Sequence, residues 1–221
     1  WQEKMRARVR LAPLGRVPRL VAGVDAAYDR AERIIYGAAV LYSYPDLEFL
    51  EEAGAKEACS FPYIPGLLSF REAPVLAAAL ARLNRTPEVV LVDGQGIAHP
   101  RGLGLASHLG LLLDLPTIGV AKSRLVGEGR EPDYPAGSAS PLYWEGETVG
   151  WIVRTRDGVR PLYISPGHRL TLAECRDLTL GCVRRYRLPL PLRQADILSR
   201  RLRRAGGLSG ASPRIPAIES R

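Results

Sequence analysis

Two stretches of this sequence close an apolar run on an aspartate. "LVAGVD" (20–25) and "VVLVD" (89–93) each read as a core strand ending on a carboxylate, Asp25 and Asp93, followed by small residues that leave room in front of the charge. If the two strands run side by side, both carboxylates stand at one edge of a sheet. Two such groups repel unless a cation lies between them, and their oxygens suit hard ions such as Mg2+ or Mn2+. Taken singly, a strand-end Asp is more often a turn cap, as in Asp-Gly.

Other residues are candidates for the same chemistry. In "SFRE", Ser69 and Glu72 have capping-box spacing, so Glu72 is either a helix cap or a third acid. Pro74 favours a helix start near Ala73 instead. His168, between Gly167 and Arg169, is expected in a glycine loop three residues ahead of a helix cap, either solvated or turned toward the acids. Arg101 lies just before a helix opening near Gly104, a position suited to holding a phosphate, with His99 in the same loop.

Several chemistries are excluded. After Gly94 and Gly96 the third glycine of a dinucleotide loop is replaced by His99, and no Lys-Ser/Thr ending marks a P-loop. His99 and His108 have neither zinc-pair nor triad spacing, and without GxSxG a serine hydrolase has no support. Cys59, Cys175 and Cys182 are an odd set with no CxxC pair, which argues against disulfides and structural zinc and fits a reducing, cytoplasmic setting. The 31 Lys and Arg against 23 Asp and Glu give a net charge of +8 and a pI near 9.7, which favours an anionic partner such as nucleic acid. Lys occurs only at 4, 56 and 122.

The elements that must position these residues follow from periodicity. After a basic opening with a short helix around Met5, three strands joined by short turns ("RLVAGVDAAYD", "RIIYGAAVLYSYP", "LEFLEEAGAKEA") predict an antiparallel meander. A helix to about Leu83, the strand "EVVLVDG", the helix "GLASHLGLLLD" and the strand "PTIGVAKSRL" predict parallel α/β organisation. "PLYWEGETVGWIVR" reads as a hairpin, Thr171 and Glu174 as a capping box, "LRQADILSRRLRR" as a last amphipathic helix, and the segment after residue 206 as a disordered tail. No apolar span long enough for a membrane and no secretion signal are visible. One domain over 1–206 with a tail over 207–221 is expected.

Taken together, "AGVDAAY", "FPYIPGLLSFRE", "LVDGQGIAHPRGLGLASHLG", "TIGVAKSRL" and "PLYISPGHRLTL" closely resemble the endonuclease V family, over roughly residues 20 to 200. The resemblance implies an α/β fold, a ribonuclease H-like mixed β-sheet flanked by α-helices. It implies a metal-dependent nuclease that recognises deoxyinosine in DNA and cuts the second phosphodiester on its 3' side; inosine-containing RNA is the alternative substrate, and a binding protein without catalysis a further one. Asp25 and Asp93 become direct Mg2+ ligands, with Glu72 bound directly or through water, and Mn2+ a second usable ion. His168 completes the catalytic group and Lys122 places the scissile phosphate or the water. Tyr63, stiffened by Pro62 and Pro65, becomes a wedge that fills the gap left by an extruded base; without the resemblance it reads as a surface turn residue. Gly66, Leu68 and Gly94 line the base pocket, and Arg101 and His99 contact phosphate. A monomer is expected.

Overall fold

A computed structural model describes residues 2–59 and 68–206. The chain forms, in order, α1 (Gln2–Arg6), β1 (Leu20–Asp29), β2 (Ile34–Ser43), β3 (Phe49–Ala58), α2 (Leu68–Leu80), β4 (Val89–Val92), α3 (Leu105–Leu113), β5 (Thr117–Ala121), β6 (Ala139–Trp144), β7 (Glu147–Val153), β8 (Leu162–His168), α4 (Leu172–Gly181) and α5 (Leu190–Arg204). All eight strands join one sheet in the order β3-β2-β1-β4-β5-β8-β7-β6. β1, β4 and β5 run parallel at its centre, and the other pairings are antiparallel. This is the expected mixed sheet flanked by helices, built on the expected meander.

β4 explains the layering. All four of its residues are buried, as a central parallel strand covered on both faces requires. Side chains alternate across a strand. Val89 and Leu91 accordingly join the core under α4 and α5, with Leu192, Ala195, Leu198 and Leu202. Val90 and Val92 join the core under α2 and α3, with Ala73, Leu76, Leu105 and Leu109. The parallel register sets Val24 beside Val92, so the next residues, Asp25 and Asp93, are neighbours.

Three local expectations are corrected. β1 does not stop at Asp25 but continues to Asp29, because β2 pairs with it along its whole length, Asp25 opposite Ala38. α2 already includes Ser69, whose hydroxyl has no hydrogen-bond partner among the described residues, so Glu72 lies within the helix and is not the far end of a capping box. "LYISPGH" is a strand, so His168 ends β8 rather than lying in a glycine loop. Gly167 is the extra residue of an irregularity, since Thr117 pairs with His168 and Ile118 with Pro166. Pro166 lacks an N–H, and its carbonyl accepts from Ile97 N at 2.8 Å.

The capping box of α4 is present in both directions. Thr171 Oγ1 accepts from Glu174 N at 3.3 Å and Glu174 Oε2 accepts from Thr171 N at 2.9 Å. Cys175 and Cys182 are buried in the core beneath it, as packing residues.

Candidate metal centre and substrate pocket

The site is built at the edge of the sheet where β4 and β5 end. Asp25 and Asp93 have the residue parity of Val21 and of Val89 and Leu91, so both point to the α5 face. The helix can reach them because β1 carries Gly23 two residues earlier. A Cβ there would lie 2.2 Å from the carbonyl carbon of Pro191, so only glycine lets the first turn of α5 rest on the strand backbone. That contact brings Asp196 and Ser199 over the carboxylates. Ser199 Oγ donates to Asp25 Oδ2 at 2.6 Å, and the ligand oxygens of Asp25, Asp93 and Asp196 all lie within 4.8 Å of one another.

The charges at this edge are poorly compensated. Burial, the largest cause, raises the Asp25 carboxyl to about 6; the Ser199 hydrogen bond opposes it, and Asp93 and Asp196 push it further up. Glu72 reaches the same field from α2. Its carboxyl is raised to about 8, by burial first and then by Asp25, with Arg71 pulling the other way from its place over the Tyr28 ring. Burial, the largest single cause, would lower the Lys122 ammonium, but Asp93, Asp25 and Asp196 together outweigh it and hold Lys122 above its ordinary value. Lys122 donates to Asp93 Oδ2, with 41% of its side chain exposed against 16% for Asp93. Arg200 donates to Asp196 Oδ1 at 2.8 Å.

Three aspartates and a nearby glutamate, all oxygen donors, match what a hard divalent cation binds. Opposite ligands of an octahedral Mg2+ stand roughly 4 Å apart, compatible with oxygens that all lie within 4.8 Å of one another. The residues therefore fit a metal ion, and such an ion would offset the burial and the repulsion that together raise Asp25 and Glu72.

A cavity of about 410 Å³ adjoins this edge on the α2/α3 side, lined by Asp93, Gly94, His99, Leu105 and Lys122 among others. Its floor needs close backbone approach. A Cβ on Gly104, the residue preceding α3, would fall 2.3 Å from Gln95 O, and one on Gly119 would fall 2.3 Å from Gly96 N. His99 is buried and its imidazole is lowered, first by burial and then by Arg101, so it is neutral near pH 7. Its Nδ1 accepts from Arg101 N at 3.2 Å, which leaves the proton on Nε2.

The structure thus brings together Asp25, Glu72, Asp93 and Lys122, with Gly94 and His99 beside them. It does not bring in His168, which ends β8 opposite Thr117, at the start of β5, whereas Lys122 follows the end of that strand. His168 is 1% exposed; Nδ1 accepts from Arg10 N at 3.3 Å and Nε2 faces Asp114 Oδ1 at 3.3 Å. The Arg101 guanidinium is taken up by Gln2 Oε1 at 2.6 Å. Tyr63 and Gly66 lie outside the described residues; Leu68 opens α2, and its side chain lies outside them too.

Asp196 is the functional residue that sequence reasoning missed. In "LRQADILSRR" it forms an i,i+4 pair with Arg200 and reads as a solvated helix charge. The available signal was Ser199, a polar residue on the otherwise apolar stripe of Leu192, Ala195, Leu198 and Leu202, one turn beyond Asp196.

Comparison with known proteins agrees with this arrangement. Residues 3–197 match the family model of endonuclease V. The chain belongs to the endonuclease V family. It is 52% identical over 199 residues to endonuclease V of Alkalilimnicola ehrlichii, covering 90% of this chain and 88% of that one. The crystal structure of endonuclease V from Streptomyces avermitilis matches with a TM-score of 0.88 at 44% identity, over 93% of this chain and 91% of that one. Endonuclease V of Ciona intestinalis, solved in complex with a 24mer DNA containing an inosine followed by a ribo-adenosine, matches with a TM-score of 0.80 at 26% identity, over 92% and 95% of the two chains. The family fold is ribonuclease H-like, and its members are nucleases. No helix among the described residues is long and apolar enough to cross a membrane.

Proposed function

We propose that this protein is a Mg2+-dependent repair endonuclease that recognises deaminated purines, deoxyinosine above all, in DNA and hydrolyses the second phosphodiester on the 3' side of the lesion. One observation carries the reading: three aspartates from three distant parts of the chain converge within 4.8 Å beside a pocket large enough for a base. Solved family relatives bound to inosine-containing DNA support the same substrate.

Asp25, Asp93 and Asp196 would hold the ion, and Glu72, which feels the charge of Asp25 and Asp93, would join them directly or through water. Mg2+, or Mn2+ in its place, would supply Lewis-acid charge for phosphodiester hydrolysis. Lys122 offers an ammonium beside the same carboxylates for the scissile phosphate. Gly94, with Gly66 and Leu68, would line the base site, where backbone amides can tell the carbonyl edge of hypoxanthine from the amino edge of adenine. His99 would contribute its Nε2–H. A single chain carries the whole carboxylate set, so a monomer suffices, and three free cysteines fit a cytoplasmic enzyme.

The test uses four matched oligonucleotides, DNA and RNA, each with and without one inosine, incubated with Mg2+ or with EDTA. Metal-dependent cutting of inosine DNA at the second 3' phosphodiester is the expected result. Equal cutting of undamaged DNA overturns the lesion specificity, and a preference for inosine RNA replaces the DNA substrate with the RNA one.

A further inference from the structure

Beyond Lys122 the same sheet edge carries a second cavity, of about 490 Å³, whose charge is unbalanced. It opens where the chain leaves β5 and passes the start of β8, Ala121 pairing with Tyr163. Lys122, Ser123 and Arg124 line both this cavity and the base-sized pocket, so the two are contiguous. Arg160 and Tyr163 form part of the far wall.

Glu131 is the one acid among the lining residues, and its Oε1 is already engaged by Nη2 of buried Arg154 at 2.9 Å. Lys122 is engaged by Asp93. Among the described residues, Arg124 and Arg160 make no ion pair and no side-chain hydrogen bond, and both are exposed. A further cation stands behind the wall. Arg187 Nη2 donates to the carbonyls of Lys122 at 3.0 Å and Pro161 at 2.7 Å, while its Nε is buried without a partner among the described residues. Its guanidinium is lowered, mainly by burial and further by Arg160, a sign that these cations repel one another.

Unpaired arginines in a concavity are a receptor for phosphate oxygens, which accept from the planar guanidinium in pairs. A phosphate here that is covalently continuous with one at Lys122 belongs to the nucleic-acid strand itself. We propose that Arg124 and Arg160 hold backbone phosphates of the cleaved strand outside the scissile bond, extending the nucleic-acid footprint from the carboxylates across β5 and β8. This rests on the nuclease reading above and adds the path of the strand.

The experiment measures affinity for an inosine-containing single strand as a function of salt, with Ca2+ in place of Mg2+ to prevent cutting. The proteins are wild type, Arg160→Gln, Arg124→Gln and, as a control of equal charge change, Arg16→Gln, whose partner Glu88 precedes β4 at the other edge. Loss of one phosphate contact should make the slope of log affinity against log salt shallower by about 0.7. Arg160→Gln and Arg124→Gln should show it, and Arg16→Gln should keep the wild-type slope.

A second arm replaces single phosphates on either side of the inosine with neutral methylphosphonates. One position should weaken wild type and have no further effect on Arg160→Gln; that position gives the strand's direction. Wild-type slopes in both pocket variants, an equal shift in Arg16→Gln, or an unchanged methylphosphonate profile overturns the proposal. So does displacement of inorganic phosphate as the only effect, which would make the cavity a free-anion site. A wild-type protein that binds inosine and plain strands alike would defeat the lesion reading alone, since the slope and the methylphosphonate profile are also read on the plain strand.

Discussion

Asp25 and Asp114 are both aspartates near an edge of the sheet, each close to cations and a polar partner, yet they are opposites. Asp114 caps the end of α3 and receives Arg10 at 3.1 Å, Arg169 at 3.1 Å and His168 at 3.3 Å. Its carboxyl is lowered, chiefly by the His168 hydrogen bond, and it is exposed. Asp25 is partly buried among other acids and is raised. The first cluster is complete as it stands; the second is complete only with a cation added. Burial among other acids, rather than the mere presence of Asp and His, separates the site from the scaffold.

The largest expected effect tests the acid cluster. Asp196→Asn keeps the size of the side chain and removes one negative ligand, so metal-dependent cleavage should fall by roughly 10²- to 10³-fold with the circular dichroism spectrum unchanged. Near-wild-type turnover would remove Asp196 from the centre and leave two aspartates to hold the ion.

A pH series sharpens the same side of the contrast. Asp25 and Glu72 have folded values of about 6 and about 8 against ordinary values of 3.8 and 4.5. Groups raised on folding stabilise the protein fully below their unfolded values and lose that contribution as pH rises through the folded ones. The metal-free protein should therefore lose stability between about pH 4 and pH 8 at these two groups. Mg2+ should raise the melting temperature more at pH 8 than at pH 5, and a metal shift that shrinks with rising pH would break the argument.

His168→Ala probes the other cluster. It deletes a buried ring and leaves Arg10 N without its acceptor, so unfolding free energy should drop by about 1–3 kcal/mol, read from denaturant melts. Activity per folded molecule should persist. A folded but inactive variant would erase the distinction drawn between the two edges. The smallest effect is expected for Arg10→Ala, whose ion pair with Asp114 is 67% and 63% exposed; the denaturant midpoint should stay close to that of wild type.

The sheet was legible because its pattern is redundant. Alternation, turn residues and the apolar run of β4 all specify the same strands, and the neighbouring register of Asp25 and Asp93 follows from pairing β1 with β4. β8 was hidden because Pro166 and Gly167 mimic a loop, and only its neighbours β5 and β7 make the segment a strand. His168 shared that error: a motif fixes which residues travel together, not which end of a strand faces the chemistry. Asp196 was hidden for the reverse reason, since a helical Asp paired with Arg200 looks solvated until Gly23 allows the helix to lie on β1.

Ser199 bonds to Asp25 across 174 residues of sequence, and Asp196 comes from the same late helix. During translation the N-terminal strands can pair long before α5 leaves the ribosome, so a nascent chain holding Asp25 and Asp93 lacks the third aspartate. The three-aspartate cluster is thus completed only when α5 docks on β1.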